Sequence, residues 1–252
     1  MKAMGVPTEA ASIYNQALAL SNQGNYAQAI ETYMHAVEVF PQFIEAYNNI
    51  GEIYSRMGNS EKAIQVYVKA LSIKKNHKVL LNLGVEYYNA GDYKKALQYF
   101  HESLQLKSDF IEGNFYTGMA YFNLKDYTNA LRFFEATVAL DHVHLKANYL
   151  LAYIYYENKE YAKVIECLNR IAHSADDKMF INRYYGFCYY HMGDFKKAIK
   201  YLTTALTSSP KYAQFKAYLE SLTYENKIKE IGDVDAKIKE LEHKIMKEKP
   251  NL

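Results

Sequence analysis

The chain has 252 residues, of which 50% are hydrophobic and 23% are charged, and its formal net charge is +2. This composition excludes an intrinsically disordered chain, which would be poor in apolar residues. No apolar run approaches the roughly 18 residues of a membrane-spanning helix, and neither end carries a signal peptide or a lipidation motif. We therefore expect a cytoplasmic protein without a membrane span.

The sequence repeats itself with a nearly fixed period. One series of small residues recurs at steps of 34, 33, 34, 34 and 34 residues, at Ala17, Gly51, Gly84, Gly118, Ala152 and Gly186. A second series follows with the same steps, at Ala29, Ala63, Ala96, Ala130, Val164 and Ala198. A period of this size predicts a stacked array of identical supersecondary units.

In chain order, an N-terminal extension (1–9) precedes six repeats that together span residues 10–212. The predicted repeats are 10–43, 44–76, 77–110, 111–144, 145–178 and 179–212. Each holds two stretches of helical length with apolar residues at i, i+3, i+4 and i+7 spacing. Polar breaks separate the two helices of a repeat, and in four breaks a glycine permits the left-handed backbone that ends a helix. The small residues are predicted where two helices approach closely.

These positions carry a recognisable motif. Repeat two has it at Tyr47, Ile50, Gly51, Tyr54, Ala63, Tyr67 and Ala70, and repeat three at Leu80, Leu83, Gly84, Tyr87, Ala96 and Phe100. The pattern resembles the tetratricopeptide repeat and covers about residues 10–212. The resemblance implies an all-α solenoid of about six helix pairs in a right-handed superhelix. It also implies a concave groove, lined by the first helix of each repeat, that binds protein segments.

The groove positions are the second, fifth, ninth, twelfth and thirteenth residues of each repeat, and they can be identified in phase along the array. Repeats one and two place mostly small and polar residues there, whereas repeats three to six place aromatic and apolar ones. The predicted partner-binding residues are Tyr88, Phe115, Met119, Phe122, Lys146, Tyr149, Tyr153, Tyr156, Arg183, Phe187, Tyr190 and His191. Two interpretations stay open: the rings pack against neighbouring helices, or they form an exposed apolar groove.

In the groove interpretation the partner is an extended peptide or an amphipathic helix with apolar anchors. Lys146 and Arg183 would fix its direction by meeting carboxylates or backbone carbonyls, and His191 would add a weak pH dependence. The predicted function is therefore a non-catalytic scaffold or adaptor for protein–protein interactions.

A co-chaperone, or a secretion or assembly chaperone, is the alternative function. Some tetratricopeptide repeat proteins clamp the C-terminal carboxylate of heat-shock chaperones. Of the five clamp positions, only Asn49 and Lys78 match here, while Tyr14, Leu18 and Asn82 do not. This chain is therefore not predicted to have the clamp.

Nucleic-acid binding and catalysis are less favoured functions. The charges are balanced and no basic stripe interleaves the groove aromatics, so no nucleic-acid partner is expected. The common hydrolase, metalloprotease and redox motifs are absent, so the protein is not expected to be an enzyme. His142 and His144 are only two possible ligands, which is too few to specify a metal site. Neither a metal nor a cofactor is predicted.

The C-terminal segment differs from the repeats. Residues 213–231 are predicted to form a capping helix, in which Phe215, Tyr218, Leu219 and Leu222 share one apolar face. Residues 232–252 are predicted to form a charged helix, in which apolar residues recur at 4, 3, 4 spacing. This helix either folds back on the cap or pairs with a second copy in a short coiled coil, giving a weak homodimer.

Overall fold

The structure, a computed structural model, describes residues 5–173 and 178–207. Within these residues the chain forms α-helices and no β-strand. The helices are α1 Thr8–Asn22, α2 Tyr26–Val39, α3 Ile44–Arg56, α4 Ser60–Ile73, α5 His77–Asn89, α6 Tyr93–Leu106, α7 Ile111–Asn123, α8 Tyr127–Leu140, α9 Leu145–Glu157, α10 Tyr161–Ile171, α11 Lys178–His191 and α12 Phe195–Thr207. The predicted capping helix (213–231) and charged helix (232–252) lie outside the described residues.

Consecutive helices pack as antiparallel pairs, which confirms the predicted all-α architecture of about six helix pairs. Each pair also packs against the next within a unit, as α2 does against α3 and α10 against α11. The chain divides into two compact units, Met1–Ala136 and Thr137–Leu252, with the division inside α8. None of the described helices combines the length and the apolar character that a membrane crossing requires.

The small-residue series lies at close helix–helix contacts, as the sequence predicted. A β-carbon added to Gly118 would lie 2.6 Å from the ring of Phe134, and one added to Gly84 would lie 2.5 Å from the ring of Phe100. In the second unit Gly186 faces Leu202 in the same way. A larger side chain at these positions would hold the two helices of a pair apart, because protein interiors are close-packed.

The breaks between paired helices share one backbone geometry. Gly91 adopts a φ of 81°, and the next residue, Asp92, accepts a hydrogen bond from the Lys95 backbone amide at 3.0 Å and so caps α6. Lys125 and Lys159 occupy the same place in repeats four and five with φ values of 61° and 63°. The turn therefore keeps its left-handed residue even where the sequence lacks glycine.

The core of each repeat is centred on one large side chain from its second helix. In the first unit these are Tyr33, Tyr67, Phe100 and Phe134, all at most 1% exposed. Leu168 takes this place in the second unit and is also fully buried. Burial of these rings against the small residues of the first helix fixes the spacing of each pair.

Candidate functional site

A hydrogen-bonded polar cluster joins two groove positions of α3, Asn48 and Glu52, to Asn82 of α5 in the first unit. The amide nitrogen of Asn82 donates to Asn48 Oδ1 at 2.9 Å and to Glu52 Oε1 at 3.0 Å. Asn48 donates to the same Glu52 oxygen at 2.6 Å. The Glu52 carboxylate thus accepts two charge-assisted hydrogen bonds, which are stronger than those between neutral groups. The cluster links two successive repeats.

Asn49, one of the two matches to the chaperone clamp, is engaged inside the protein. Its amide nitrogen donates to the hydroxyl oxygens of Tyr14 and Tyr33, each at 2.9 Å. Burial raises the pKa of Tyr33 to about 12 and also raises the pKa of Tyr14, so both phenols stay neutral at physiological pH. Both amide hydrogens of Asn49 are therefore used in holding α1, α2 and α3 together.

Tyr88 is half-buried at the twelfth position of repeat three. Its hydroxyl oxygen accepts a hydrogen bond of 2.8 Å from the amide of Asn123, at the thirteenth position of repeat four. Its ring meets the edge of Tyr93 at a centroid distance of 5.3 Å. Tyr88 thus joins α5 to α7 and leaves part of its ring open to solvent.

The other predicted residues of the first unit differ in exposure. Phe115 is buried, with its ring centroid 6.0 Å from that of the core residue Phe134. Met119 and Phe122 are half-buried on the same helix, and Phe122 meets the edge of Tyr127 at 5.4 Å. Only the last two, together with Tyr88, offer apolar surface to solvent.

In the second unit, the groove positions of α9 form the repeat-five face, which we define as Lys146, Tyr149, Tyr153 and Tyr156. Lys146 is exposed, Tyr149 and Tyr153 are half-buried, and Tyr156 is buried. The ring of Tyr149 meets the edge of Phe180 on α11 at 4.6 Å. This face combines partly open aromatic rings with a cation one turn away, because residues three apart on a helix are neighbours.

The corresponding positions of α11 form the repeat-six face, which we define as Phe180, Arg183, Phe187 and Tyr190. All four are buried, with 3%, 5%, 0% and 9% of their surfaces exposed. The Arg183 guanidinium lies 5.4 Å from the Phe180 ring centre and 5.3 Å from that of Tyr184, within range of cation–π attraction. Burial raises the pKa of Tyr184 to about 12, against the opposing effect of the Arg183 charge.

His191 joins the two faces of this unit at their C-terminal ends. Its Nε2 lies 3.3 Å from the Tyr156 hydroxyl, a link equivalent to that between Tyr88 and Asn123 in the first unit. The exposed imidazole also stacks on Tyr161, with ring centroids 4.7 Å apart and an interplanar angle of 8°. Tyr161 is not among the predicted residues, because it begins α10 and lies outside the groove positions.

The predicted residues thus divide by burial. Phe115, Tyr156, Arg183, Phe187 and Tyr190 are buried; Tyr88, Met119, Phe122, Tyr149 and Tyr153 are half-buried; and Lys146 and His191 are exposed. Packing accounts for the buried set in this structure, whereas the half-buried and exposed sets offer surface to a partner. Phe180 and Tyr184 are not among the predicted residues, although both are aromatic and Phe180 lies at the second position of its repeat.

The described residues offer little for covalent or metal chemistry. Cys167 and Cys188 are free and buried, and burial raises the pKa of the Cys188 thiol to about 12, so it stays protonated. His144 accepts a hydrogen bond from the Ala147 amide at 3.2 Å and so caps α9. No three acidic, histidine or cysteine side chains of residues 5–173 and 178–207 gather to hold a metal ion.

Comparison with protein families gives one consistent result. Four family models, each described as a tetratricopeptide repeat, match residues 8–76, 77–110, 118–178 and 180–212. No enzymatic domain is identified among these matches. A search of the curated proteins finds no match.

Several solved structures are similar to this chain. PilF of Pseudomonas aeruginosa is 21% identical with a TM-score of 0.68, and the match covers 83% of this chain and 97% of that one. MamA of Desulfovibrio magneticus RS-1 is 26% identical with a TM-score of 0.55, over 65% of this chain and 93% of that one. YrrB, a repeat protein with an unusual peptide-binding site, is 23% identical with a TM-score of 0.51, over 75% of this chain and 89% of that one. At the identities of PilF and YrrB, the similarity concerns the fold alone.

Proposed function

Since the chain belongs to the tetratricopeptide repeat family, we propose that it is a non-catalytic adaptor that binds a segment of another protein. The fold typically mediates protein–protein interactions. Peptide binding by YrrB, a protein of similar fold, supports the same kind of ligand here. The segment is an extended peptide or an amphipathic helix that presents apolar anchors to the groove positions.

The observation that carries this proposal is the composition of the repeat-five face. Tyr149 and Tyr153 lie one turn apart on α9, and both are half-buried. Aromatic rings give large contact area for little loss of side-chain entropy, which is why they dominate binding energy at interfaces. The exposed Lys146 beside them supplies a charge that would meet a carboxylate of the bound segment and set its direction.

In the first unit, we assign the same role to Tyr88, Met119 and Phe122, which expose apolar surface at equivalent positions. The polar cluster around Glu52 has its hydrogen bonds made within the protein, so the proposed anchors are the apolar side chains. The four buried residues of the repeat-six face would contribute only after they are uncovered.

The test begins with capture of partners from the source cell, followed by titration of synthetic peptides from each captured protein. Tyr153→Ala should weaken the affinity for the true partner peptide by about 30-fold, the equivalent of roughly 2 kcal/mol, because truncating a central anchor typically costs that much.

Tyr189→Ala is the matched control. Tyr189 is also a half-buried tyrosine on a first helix, but its ring stacks on Tyr201 of α12 at 5.6 Å, away from the groove positions. Equal affinities of Tyr153→Ala and the unsubstituted protein, with Tyr189→Ala also unchanged, would reject the repeat-five face as the binding surface.

A further inference from the structure

Repeat two lacks a ring that the other repeats carry at one turn. The seventeenth position of a repeat begins its second helix, and it is aromatic in every repeat but the second, as Tyr26, Tyr93, Tyr127, Tyr161 and Phe195. Repeat two has the exposed Ser60 there. In repeat three this ring meets the ring of Tyr88, at the twelfth position, with centroids 5.3 Å apart. The twelfth position of repeat two is Ser55, so its turn is open where repeat three has two rings.

A buried carboxylate lies at this open turn. Glu86 of α5 is 4% exposed, and its carboxylate accepts a hydrogen bond from the Ser60 hydroxyl. The residues at the same position of the other repeats are uncharged, namely Ala19, Ile53, Ala120, Ile154 and Cys188. Repeat two therefore lacks a ring at the point where repeat three carries an acid, and the two differences meet in one contact.

No full positive charge neutralises Glu86 within residues 5–173 and 178–207. In that part of the chain its side chain accepts one hydrogen bond, from Ser60, and forms no ion pair. Ser60 begins α4, and a helix N-terminus supplies only about half of a positive charge. A buried carboxylate is costly unless a cation balances it. The open turn is therefore suited to a positively charged group.

The Tyr67 hydroxyl belongs to the same polar environment. Burial and the charges of Glu52 and Glu86 raise the pKa of Tyr67, and the charge of Arg56 opposes them. Tyr67 is 1% exposed, yet its hydroxyl makes no hydrogen bond to the residues that the structure describes, whereas the hydroxyl of Tyr33, at the same repeat position, is bonded. Arg56 is exposed and pairs with neither carboxylate in the described ranges. Two carboxylates thus act on one unused hydroxyl, against a single cation.

We propose that this turn site, which we define as Ser60, Tyr67 and Glu86, binds an arginine side chain of the partner segment. The guanidinium takes the place that a ring occupies in other repeats and donates to the Glu86 carboxylate, while the Tyr67 oxygen is a further acceptor. A guanidinium suits so buried a site better than an ammonium group does, because it is more weakly hydrated and carries a planar fork of donors. The inference rests on the proposed function, since the arginine belongs to the segment that the adaptor binds.

Titration with one amino acid tests the site without the partner. N-acetyl-arginine amide, added to the isotopically labelled full chain, should shift the backbone amide resonances of Ser60 and Glu86 in a saturable way. N-acetyl-citrulline amide has nearly the same shape but no charge, so it should bind about tenfold more weakly. Equal affinities for the two probes, or no saturable shift with the arginine probe, would overturn the proposal.

Glu86→Gln tests the carboxylate. The new amide keeps the length of the side chain and can still accept from the Ser60 hydroxyl, so the fold should be retained by circular dichroism. Affinity for the arginine probe should fall about tenfold, because a charge-assisted hydrogen bond becomes a neutral one. Glu61→Gln is the matched control: it removes the same charge from the exposed residue next to Ser60 and should change the affinity by less than about twofold. Equal losses in the two variants would assign the effect to long-range attraction and reject the site.

Ser60→Tyr tests the open turn and leaves the carboxylate in place. It restores the ring of the other repeats at an exposed position, and that ring should exclude the arginine probe. Undiminished binding to the folded Ser60→Tyr protein would overturn the proposed location. This variant decides the question if Glu86→Gln fails to fold.

Partner peptides separate this inference from the proposed function. In a peptide that the full chain binds, exchange of one arginine for citrulline should weaken binding, and that loss should largely disappear in the Glu86→Gln protein. Peptides that tolerate citrulline at every arginine would reject the site and leave the adaptor function standing. Saturable binding of the arginine probe that depends on Glu86, with no peptide bound, would reject the adaptor function and leave the cation site standing.

Discussion

The first helices of repeats two and three carry different interactions from those of repeats five and six, on the same helical framework. On α3 and α5, Asn48, Glu52 and Asn82 bond to one another. On α9 and α11, aromatic rings and one arginine pack together. A hydrogen-bonded cluster is satisfied by its few partners and can face water, whereas an apolar ring is stabilised in proportion to the area removed from water. The hydrogen bonds of the polar cluster are therefore made within the protein, whereas the aromatic surface is stabilised further when another segment removes it from water.

One link between successive repeats is nevertheless common to both units. A phenol at the twelfth position meets a nitrogen at the thirteenth position of the next repeat, as Tyr88 meets Asn123 and Tyr156 meets His191. The position in the repeat thus fixes which side chains meet, and the residue type fixes what the contact can do. Substitutions at matched positions can separate these two influences.

The largest expected effect is at Phe187. Phe187→Ala should lower the free energy of unfolding by about 3–5 kcal/mol, because it leaves a cavity where a fully buried ring was. Met119→Ala, at the equivalent position of the first unit, should cost only about 1 kcal/mol, since that side chain is half-buried. Urea unfolding followed by circular dichroism measures both.

A smaller effect is expected in the polar cluster. Asn82→Ala removes two hydrogen bonds and leaves Glu52 with one, so it should cost about 1–2 kcal/mol in the free energy of unfolding. Asn89→Ala is the control: Asn89 is exposed at the end of α5 and should change stability by less than about 0.5 kcal/mol. Equal losses at the two positions would mean that the cluster contributes nothing beyond helix propensity.

The sequence predicted the fold well because steric requirements repeat with the period. Gly84 and Gly118 each face a ring from the paired helix, and no larger residue fits there, so the small-residue series marks the helix contacts directly. Residue type alone does not identify every turn, because Lys125 and Lys159 adopt the left-handed backbone that glycine adopts in the other repeats. Their place in the period, rather than their residue type, identifies them.

The residue types at the groove positions can be identified from the sequence, but their exposure cannot. The period places Tyr153 and Phe187 at the same repeat position, and both are aromatic, yet one is half-buried and the other fully buried. Exposure depends on what packs over a residue from distant parts of the chain, and a repeat pattern contains no information about that. Tyr161 was missed for a similar reason, because its stacking on His191 joins two helices with different phases.

The smallest expected effect is at His191, where the link common to both units can be exchanged. His191→Asn places in the second unit the residue that contacts Tyr88 in the first, and its amide can donate to the Tyr156 hydroxyl. We expect a loss of less than about 0.5 kcal/mol in the free energy of unfolding, as for most surface substitutions. His191→Ala should cost about 1 kcal/mol, because it removes both the polar contact and the stacking on Tyr161. Urea unfolding of the two variants distinguishes the contributions. Equal losses would assign the contact to ring stacking, and the link at this position would then differ in kind between the two units.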